Sequence, residues 1–246
     1  MNYTGRGVRG TWIRAVGTIG LIDASTPHIG TLNEGSLHAA LKHQYAGPGD
    51  RFETAVDGMV VDLVQADGRL VEVQTGSLAA LGPKLDRLLE DHRILVVHPI
   101  AVQTILVRAG KPDRKSPTKG KLVDVFEQLV SVPTLLDHPN LTIDVPLIVE
   151  ERVKIHDPKL RRRRGGWRTV DRRLVEILDI HRFSGPDDLD DFVPVDLPPV
   201  FTTADMAASG QLTRDEAQRI AYCMRALDRF VVEARSAKGY EYRWSR

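Results

Sequence analysis

Apolar residues recur along this chain at two periods, 3.6 residues and two, and the switches between them mark the elements. Leu37, Ala40, Leu41 and Tyr45 fall at helical spacing behind a Thr31-x-x-Glu34 capping box, which predicts a helix from about Leu32 to Tyr45. Phe52 to Val64 is rich in β-formers, Ala66-Asp67-Gly68-Arg69 is a hairpin signal, and Leu70 to Thr75 is a second β-rich run. A β-hairpin is expected there. Leu78, Leu81, Leu85, Leu88 and Leu89 form one helical stripe through Asp91, and Ile94 to Val97 and Thr104 to Val107 read as short buried strands. Lys121 to Val130 has an amphipathic pattern, and Leu141 to Val153 and Val170 to Ile180 read as extended segments able to pair. The Pro- and Asp-rich stretch Pro186 to Pro199 has the composition of a linker and places a boundary near Asp196.

Beyond that boundary the pattern is helical again. A short helix is expected around Ala204 to Ala208, a turn at Gly210, and a longer helix from a second capping box, Thr213-x-x-Glu216, to about Leu227. Ala217, Ile220, Ala221, Met224 and Leu227 are its buried stripe, with Cys223 packed among them. Val231 to Ala234 and Tyr240 to Trp244 flank a Ser-Ala-Lys-Gly turn and complete a helix, turn, helix and wing. Residues 1–22 are Gly- and Arg-rich without periodicity and read as a poorly specified leader. Their run Gly5 to Gly10 matches G-x-G-x-x-G with no strand before it, so it carries no dinucleotide reading.

Composition narrows the class. The chain has 246 residues, 42% of them hydrophobic and 27% charged, within the ordinary globular range. No apolar stretch reaches the length of a membrane helix, and Arg6, Arg9 and Arg14 precede no signal core, so neither secretion nor membrane insertion is expected. One cysteine, Cys223, suits a reducing cytoplasm. The net charge of +1 predicts no bulk affinity for nucleic acid, but its distribution is uneven. Ten Arg or Lys lie between Glu151 and Arg173, including Arg161, Arg162, Arg163 and Arg164, and such a block can grip phosphates.

The candidate chemistry is carboxylate chemistry. Strand alternation puts Glu72 and Gln74 on one face of the second hairpin strand and Val71 and Val73 on the other. Asp57 and Asp62, five residues apart on the preceding strand, point to opposite faces. A two-residue Asp67-Gly68 loop would give Asp57 the face of Glu72, whereas a three-residue loop would bring Asp62 opposite Glu72. A bulge at Gly58 would bring both near one metal. The eight histidines show no HExxH or H-x-x-x-H spacing, although His38 lies one turn after Glu34 and within reach of the same site.

A helix carrying Glu34, then Val-Asp-Gly-Met-Val-Val-Asp-Leu-Val, a turn and Val-Glu-Val-Gln resembles the PD-(D/E)XK nuclease superfamily over about residues 29–108. Within it, the Asp-Leu-Val … Glu-Val-Lys pattern of archaeal Holliday-junction resolvases is the nearest likeness. The resemblance implies an α/β fold: a restriction-endonuclease-like αβββαβ core with a mixed sheet. It implies that Asp62 and Glu72 bind Mg²⁺ or Mn²⁺, that Val73 offers its backbone carbonyl, and that Glu34 joins directly or through water. Gln74 stands where the superfamily has lysine. Lys84 on the next helix is an alternative source of that charge, and loss of catalysis is a third outcome. Mg²⁺ suits such a site, since it takes hard oxygen ligands, keeps several waters and can activate one against phosphorus.

The C-terminal pattern resembles winged helix-turn-helix domains. The resemblance implies that Gln218, Arg219, Tyr222 and Arg225 face DNA, with Arg235 and Lys238 on the wing. Eight Arg or Lys against six Asp or Glu in 201–246 is a small surplus for a reader of phosphates. The expected organisation is a leader at 1–22, a nuclease-like domain at 23–155, a basic extension and acidic linker at 156–196, and a winged helix domain at 197–246. The expected function is metal-dependent hydrolysis of DNA phosphodiesters, with a non-catalytic DNA-binding or regulatory protein on a degenerate nuclease fold as the competing class. DNA is the expected partner, and a homodimer is the candidate assembly.

Overall fold

The computed structural model describes residues 35–160, 166–237 and 239–245. The leader 1–22, Glu34, Arg161 to Arg164 and Lys238 lie outside the described residues. Helix α1 (Ser36–Gln44) opens after an extended Gly35, later than the expected Leu32. Nine residues are too few to stay helical on propensity alone, so α1 depends on packing. Leu37 and Leu41 are buried, worth together about 3–6 kcal/mol. Ser36 donates from both its backbone N–H and its hydroxyl to Asp171, far along the chain.

Three antiparallel strands follow: β1 (Arg51–Val56), β2 (Met59–Val64) and β3 (Leu70–Val73). The single run expected over Phe52 to Val64 is therefore two strands. Asp57 and Gly58 both take positive φ, 49° and 77°, and close a two-residue turn whose twist matches that of the flanking strands. Gly58 is thus a turn residue and not a bulge. Between β2 and β3 the Gln65 N–H donates to the Arg69 carbonyl at 2.8 Å, around a three-residue loop closed by Gly68 at φ 84°. That loop sets Leu63 opposite Val71 and Val64 opposite Leu70, and by the same count Asp62 opposite Glu72.

A 3₁₀ turn (Leu78–Leu81) leads into α2 (Gly82–Leu88), after which β4 (Ile94–Val97) runs parallel to β3. β4 and β5 (Ile100–Arg108) lie end to end along the long strand β7 (Leu141–His156), both parallel to it. The break between them is His98-Pro99, where proline has no N–H to give a ladder. β6 (Lys111–Lys115) turns back from β5 through Gly110 and is exposed at every position, so no hydrophobic pattern announces it. β8 (Trp167–Phe183) pairs antiparallel with β7 from Ile143 to His156. The segment 156–196 is accordingly not a free extension and linker, because β8 belongs to the sheet. The result is an eight-stranded mixed sheet with helices, an α/β architecture.

The expected helix over Lys121 to Val130 is a 3₁₀ turn (Leu122–Val125) continuing into α3 (Phe126–Leu129). The Pro- and Asp-rich stretch is also anchored. Leu189 and Val193 are buried, and Phe192 meets Phe126 edge-on with ring centroids 5.1 Å apart. The chain ends as α4 (Thr203–Ala208), α5 (Arg214–Ala226) and the hairpin β9 (Phe230–Ser236) with β10 (Gly239–Trp244), to which Phe201 bridges at Tyr242. The Thr213 and Glu216 box closes reciprocally, as its spacing predicts.

Two apolar clusters lie on opposite faces of the sheet. The smaller joins Leu37 and Leu41 of α1 to Leu63, Val71, Val73, Leu95 and Val97. The larger runs unbroken from Leu85 and Ile94 through Phe126 and Leu189 to Met206, Ile220 and Phe230, so the C-terminal unit shares one core with the sheet. No described helix is long and apolar enough to cross a membrane.

Candidate functional site

The regular alternation of β2 breaks at Asp62. Val61 and Val64, three residues apart, pack in the same cluster, while Leu63 between them packs on the other face. Ladder pairing of β2 with β3 stops at Leu63 and Val71, and beyond that point side chains occupy the gap. Asp62 Oδ2 accepts the Val73 N–H at 2.8 Å, and Glu72 Oε1 accepts the Asp62 N–H at 3.3 Å. Each carboxylate thus satisfies a backbone donor of the opposite strand, and the parting of the strands brings the two acids together.

Positive groups reach the pair from both faces. From α2, Lys84 Nζ lies 2.5 Å from Glu72 Oε1 and donates to the Val60 carbonyl. From α1, His38 Nε2 lies 3.2 Å from Asp62 Oδ1. Lys42, one turn beyond His38, is buried and pairs with Glu53, which takes a positive φ of 47° inside β1. Lys42 escaped the sequence reading; its i, i+4 spacing from His38 is the signal that could have found it.

These surroundings push the two acids in opposite directions. Burial alone would raise Asp62, but the hydrogen bonds from His38 and the Val73 N–H, with the charges of His38 and Lys42, outweigh it and hold the carboxyl below its usual range. Burial dominates at Glu72 and, with the nearby Asp62 charge, lifts it above its usual value despite Lys84. Divergent acidities of neighbouring carboxyls are the arrangement that lets one hold a charge while the other moves a proton.

The remaining candidates separate. Gln74 turns its amide into the loop, donating to the Ser77 carbonyl at 2.6 Å, while its own carbonyl accepts from His98 Nδ1 at 2.8 Å. Asp57 sits at the β1–β2 turn and pairs with His92 at 2.7 Å, about 17 Å along β2 from Asp62. It does not join the carboxylate pair. Among the described residues no group of three or more His, Cys, Asp or Glu is gathered as a metal cage. Asp62 and Glu72 are nevertheless hard oxygen donors of the kind Mg²⁺ takes, since that ion usually binds through one or two carboxylates and keeps its waters.

On the C-terminal unit, Arg225 lies over the rings of Tyr222 and Tyr240, at 5.7 and 5.8 Å, and Arg235 lies over Tyr240 at 5.6 Å. Both tyrosines are exposed, so aromatic and guanidinium groups alternate across α5 and the β9–β10 hairpin. Arg219 is used differently: it pairs with Glu127 of α3 at 3.1 Å and helps seat α5 on the first unit. Gln218 lies beside it, with Val130, on a shallow hollow between α3 and α5.

No solved structure matches this chain. An uncharacterized protein of Treponema pallidum (strain Nichols) is 34% identical over 188 residues, covering 74% of each chain. Residues 35–184, from the start of α1 to the end of β8, match a family profile, and the chain belongs to that family, described as Domain of unknown function (DUF8091).

Proposed function

We propose that the protein is a metal-dependent DNA nuclease whose site is the pair Asp62 and Glu72. The observation that carries this reading is the meeting of the two carboxylates across the gap between β2 and β3, with Lys84 on Glu72. The element order α1-β1-β2-β3-α2-β4 supports it, being that of the core expected from the PD-(D/E)XK resemblance. A divalent ion held by Asp62, Glu72 and the Val73 carbonyl would neutralise charge on a phosphoryl group and make a water more acidic.

The chain's own residues do the rest. Asp62, held anionic, supplies the fixed negative charge of the site. Glu72, paired with the Lys84 ammonium, would be the second carboxylate to hold the ion. Lys84 would supply the positive charge beside the phosphate that Gln74, committed to the Ser77 carbonyl, does not. The winged helix reading belongs to the same proposal: Tyr222, Arg225, Tyr240 and Arg235 form a surface on which a phosphate backbone or an exposed base can rest. A cytoplasmic location is part of it.

Mg²⁺- and Mn²⁺-dependent cleavage of labelled duplex, single-stranded and four-way-junction DNA tests the reading, with Glu72→Ala and Asp62→Ala beside the wild type. Cleavage by the wild type that both substitutions abolish is expected. Cleavage that survives both means the site lies elsewhere. Gln74 in place of lysine favours a second reading, a DNA-binding protein without catalysis, and tight binding of all three substrates with no cleavage supports that one.

A further inference from the structure

A second polar assembly lies beyond the end of β3, and its centre is a carboxylate with no exposed surface. Glu150 of β7 is 0% exposed. Its Oε1 accepts from Arg152 Nε at 2.5 Å and from the Thr104 hydroxyl at 3.2 Å, and its Oε2 accepts from Arg172 Nε at 2.8 Å. Arg172 Nη1 donates onward to the Thr75 carbonyl at 3.0 Å. One buried negative charge thus holds two guanidinium groups side by side. Two cations around one anion leave an excess positive charge, and the Nη2 of Arg172 and both Nη atoms of Arg152 have donors to spare.

Arg152, Arg172 and Thr104 line a cavity of ≈ 690 Å³, large enough for a nucleotide-sized ligand. Lys119 and Lys154 add positive charge to its wall. The two carboxylates on its rim have other partners: Asp124 accepts from the Lys121 N–H at 2.8 Å, and Glu127 pairs with Arg219. The loop bearing Lys119 is pinned where it stands. Ser116 N–H donates to the Thr104 carbonyl and Gly120 N–H to the Ala101 carbonyl, and a Cβ at Gly120 would meet Ile100 Cγ2 at 2.7 Å and the Ala101 oxygen at 2.8 Å. Only glycine lets the loop lie this close to β5.

His98, 6% exposed, lines the same cavity. The Gln74 carbonyl can only accept, so Nδ1 of His98 is the donor in their bond. Burial lowers the pKa of the ring below its usual value and favours the neutral form, in which Nε2 is an acceptor. The cavity therefore offers guanidinium and ammonium donors for an anion together with an acceptor, His98 Nε2, for a ligand hydroxyl or N–H. Phosphate alone has no use for the acceptor; a nucleoside phosphate uses both. The lip of the cavity is Thr75 and Gly76, and Thr75 is three residues past Glu72, about 10 Å along the strand.

We propose that this cavity receives the phosphorylated end of a nucleic-acid strand, its terminal phosphate held by Arg152, Arg172 and Lys119. The proposal rests on the nuclease reading for the source of the ligand but not for the chemistry of its capture. A strand anchored here would pass the Asp62 and Glu72 pair a fixed distance from its end.

Titration calorimetry of the full chain in EDTA tests it, using a short single-stranded DNA with a 5′-phosphate, the same strand with a 5′-hydroxyl, and deoxyadenosine 5′-monophosphate. The phosphorylated strand is expected to bind at least about tenfold more tightly than the hydroxyl strand, the worth of one or two charge-assisted bonds. That preference should vanish in Lys119→Ala, whose exposed side chain leaves folding unaffected, and in Arg152→Gln. It should persist in Glu72→Ala. Equal binding of the two strands, or a preference that outlives both cavity variants, overturns the proposal. Capture of the mononucleotide without the phosphorylated strand overturns the strand as its source. Failure of DNA cleavage with the preference intact refutes the nuclease reading and leaves the cavity assignment standing.

Discussion

Lys84→Met tests the electrostatics of the carboxylate pair most directly. The substitution keeps an unbranched stem and removes the ammonium that lies 2.5 Å from Glu72, whose side chain is only 5% exposed. The carboxylate must then stay charged without its cation or take up a proton. Leaving a buried charge unpartnered costs about 3–5 kcal/mol. Protonation has a ceiling set by pH: from the usual glutamate value of 4.5 to pH 7 is about two and a half units, or about 3.4 kcal/mol. The cheaper route wins, so the variant should lose up to about 3.4 kcal/mol at pH 7 but under about 1 kcal/mol at pH 5. The sign follows from the raised pKa: the native state holds the proton more tightly than the unfolded chain. The contribution is therefore whole below pH 4.5 and drains away as pH rises toward the folded value. Urea unfolding at the two pH values measures it, and Glu72→Gln in the Lys84→Met background should recover most of the loss at pH 7. An equal loss at both pH values, or no recovery, would show that Lys84 acts through packing and that its charge is irrelevant.

Other expectations follow from single groups. Arg182 grips Asp144 of β7, 1% exposed, through two bonds of 2.7 and 2.8 Å. Arg182→Leu should cost about 3–5 kcal/mol in urea unfolding, and a loss below about 1 kcal/mol would contradict the burial of that charge. At Asp62 the shift is downward, so its contribution is present above the usual 3.8 and is lost as pH falls through the lower folded value. Acid unfolding of Asp62→Asn should accordingly show a shallower limb than the wild type below about pH 4; identical limbs would dismiss the bonds from His38 and Val73 as the cause. Burial pushes the Cys223 thiol up to about 12. The native protein should resist a disulfide reagent at pH 8 for as long as it stays folded, and rapid labelling would place Cys223 at the surface.

What the sequence made legible was whatever carries a hydrophobic period or a fixed turn chemistry. The leucine stripe of α2, the buried run of β4 and the Thr213 capping box are all of this kind, because each encodes its partner within a few residues. The register of β2 on β3 is different. Two- and three-residue loops are both compatible with Ala66-Asp67-Gly68-Arg69, yet they exchange the faces of Asp57 and Asp62. The choice falls to the packing of Leu63 and Val71 against α1, which no local pattern contains. Asp57-Gly58 did carry a local signal, a two-residue turn dipeptide inside a β-rich run, and only its reading as continuous strand concealed it. β6 stayed hidden for a physical reason: its side chains are exposed at every position, so the strand is held by ladder bonds to β5 without an apolar face. The Pro- and Asp-rich stretch misled in the opposite sense. Its composition is that of a linker, but Leu189, Phe192 and Val193 anchor its first half in the core, and Asp187 and Asp190 both pair with Arg229.

That packing changes what the C-terminal unit can contribute. A winged helix on a flexible tether would raise the local concentration of DNA near the carboxylates and impose no fixed geometry, and a nuclease so built would cut at scattered positions. Here α5 is seated by Lys121 on Glu216 and by Arg219 on Glu127, and the apolar cluster continues beneath it without a break. The Tyr222, Arg225 and Tyr240 surface therefore stands at a set distance from Asp62 and Glu72. If both surfaces engage one DNA molecule, the distance between the bound segment and the reacting phosphate is a property of the fold, and cleavage should fall at a constant offset from the binding position. Loosening the seat with Arg219→Ala and Lys121→Ala together should broaden that offset before it lowers the rate, because the substitutions touch neither the carboxylates nor the aromatic surface.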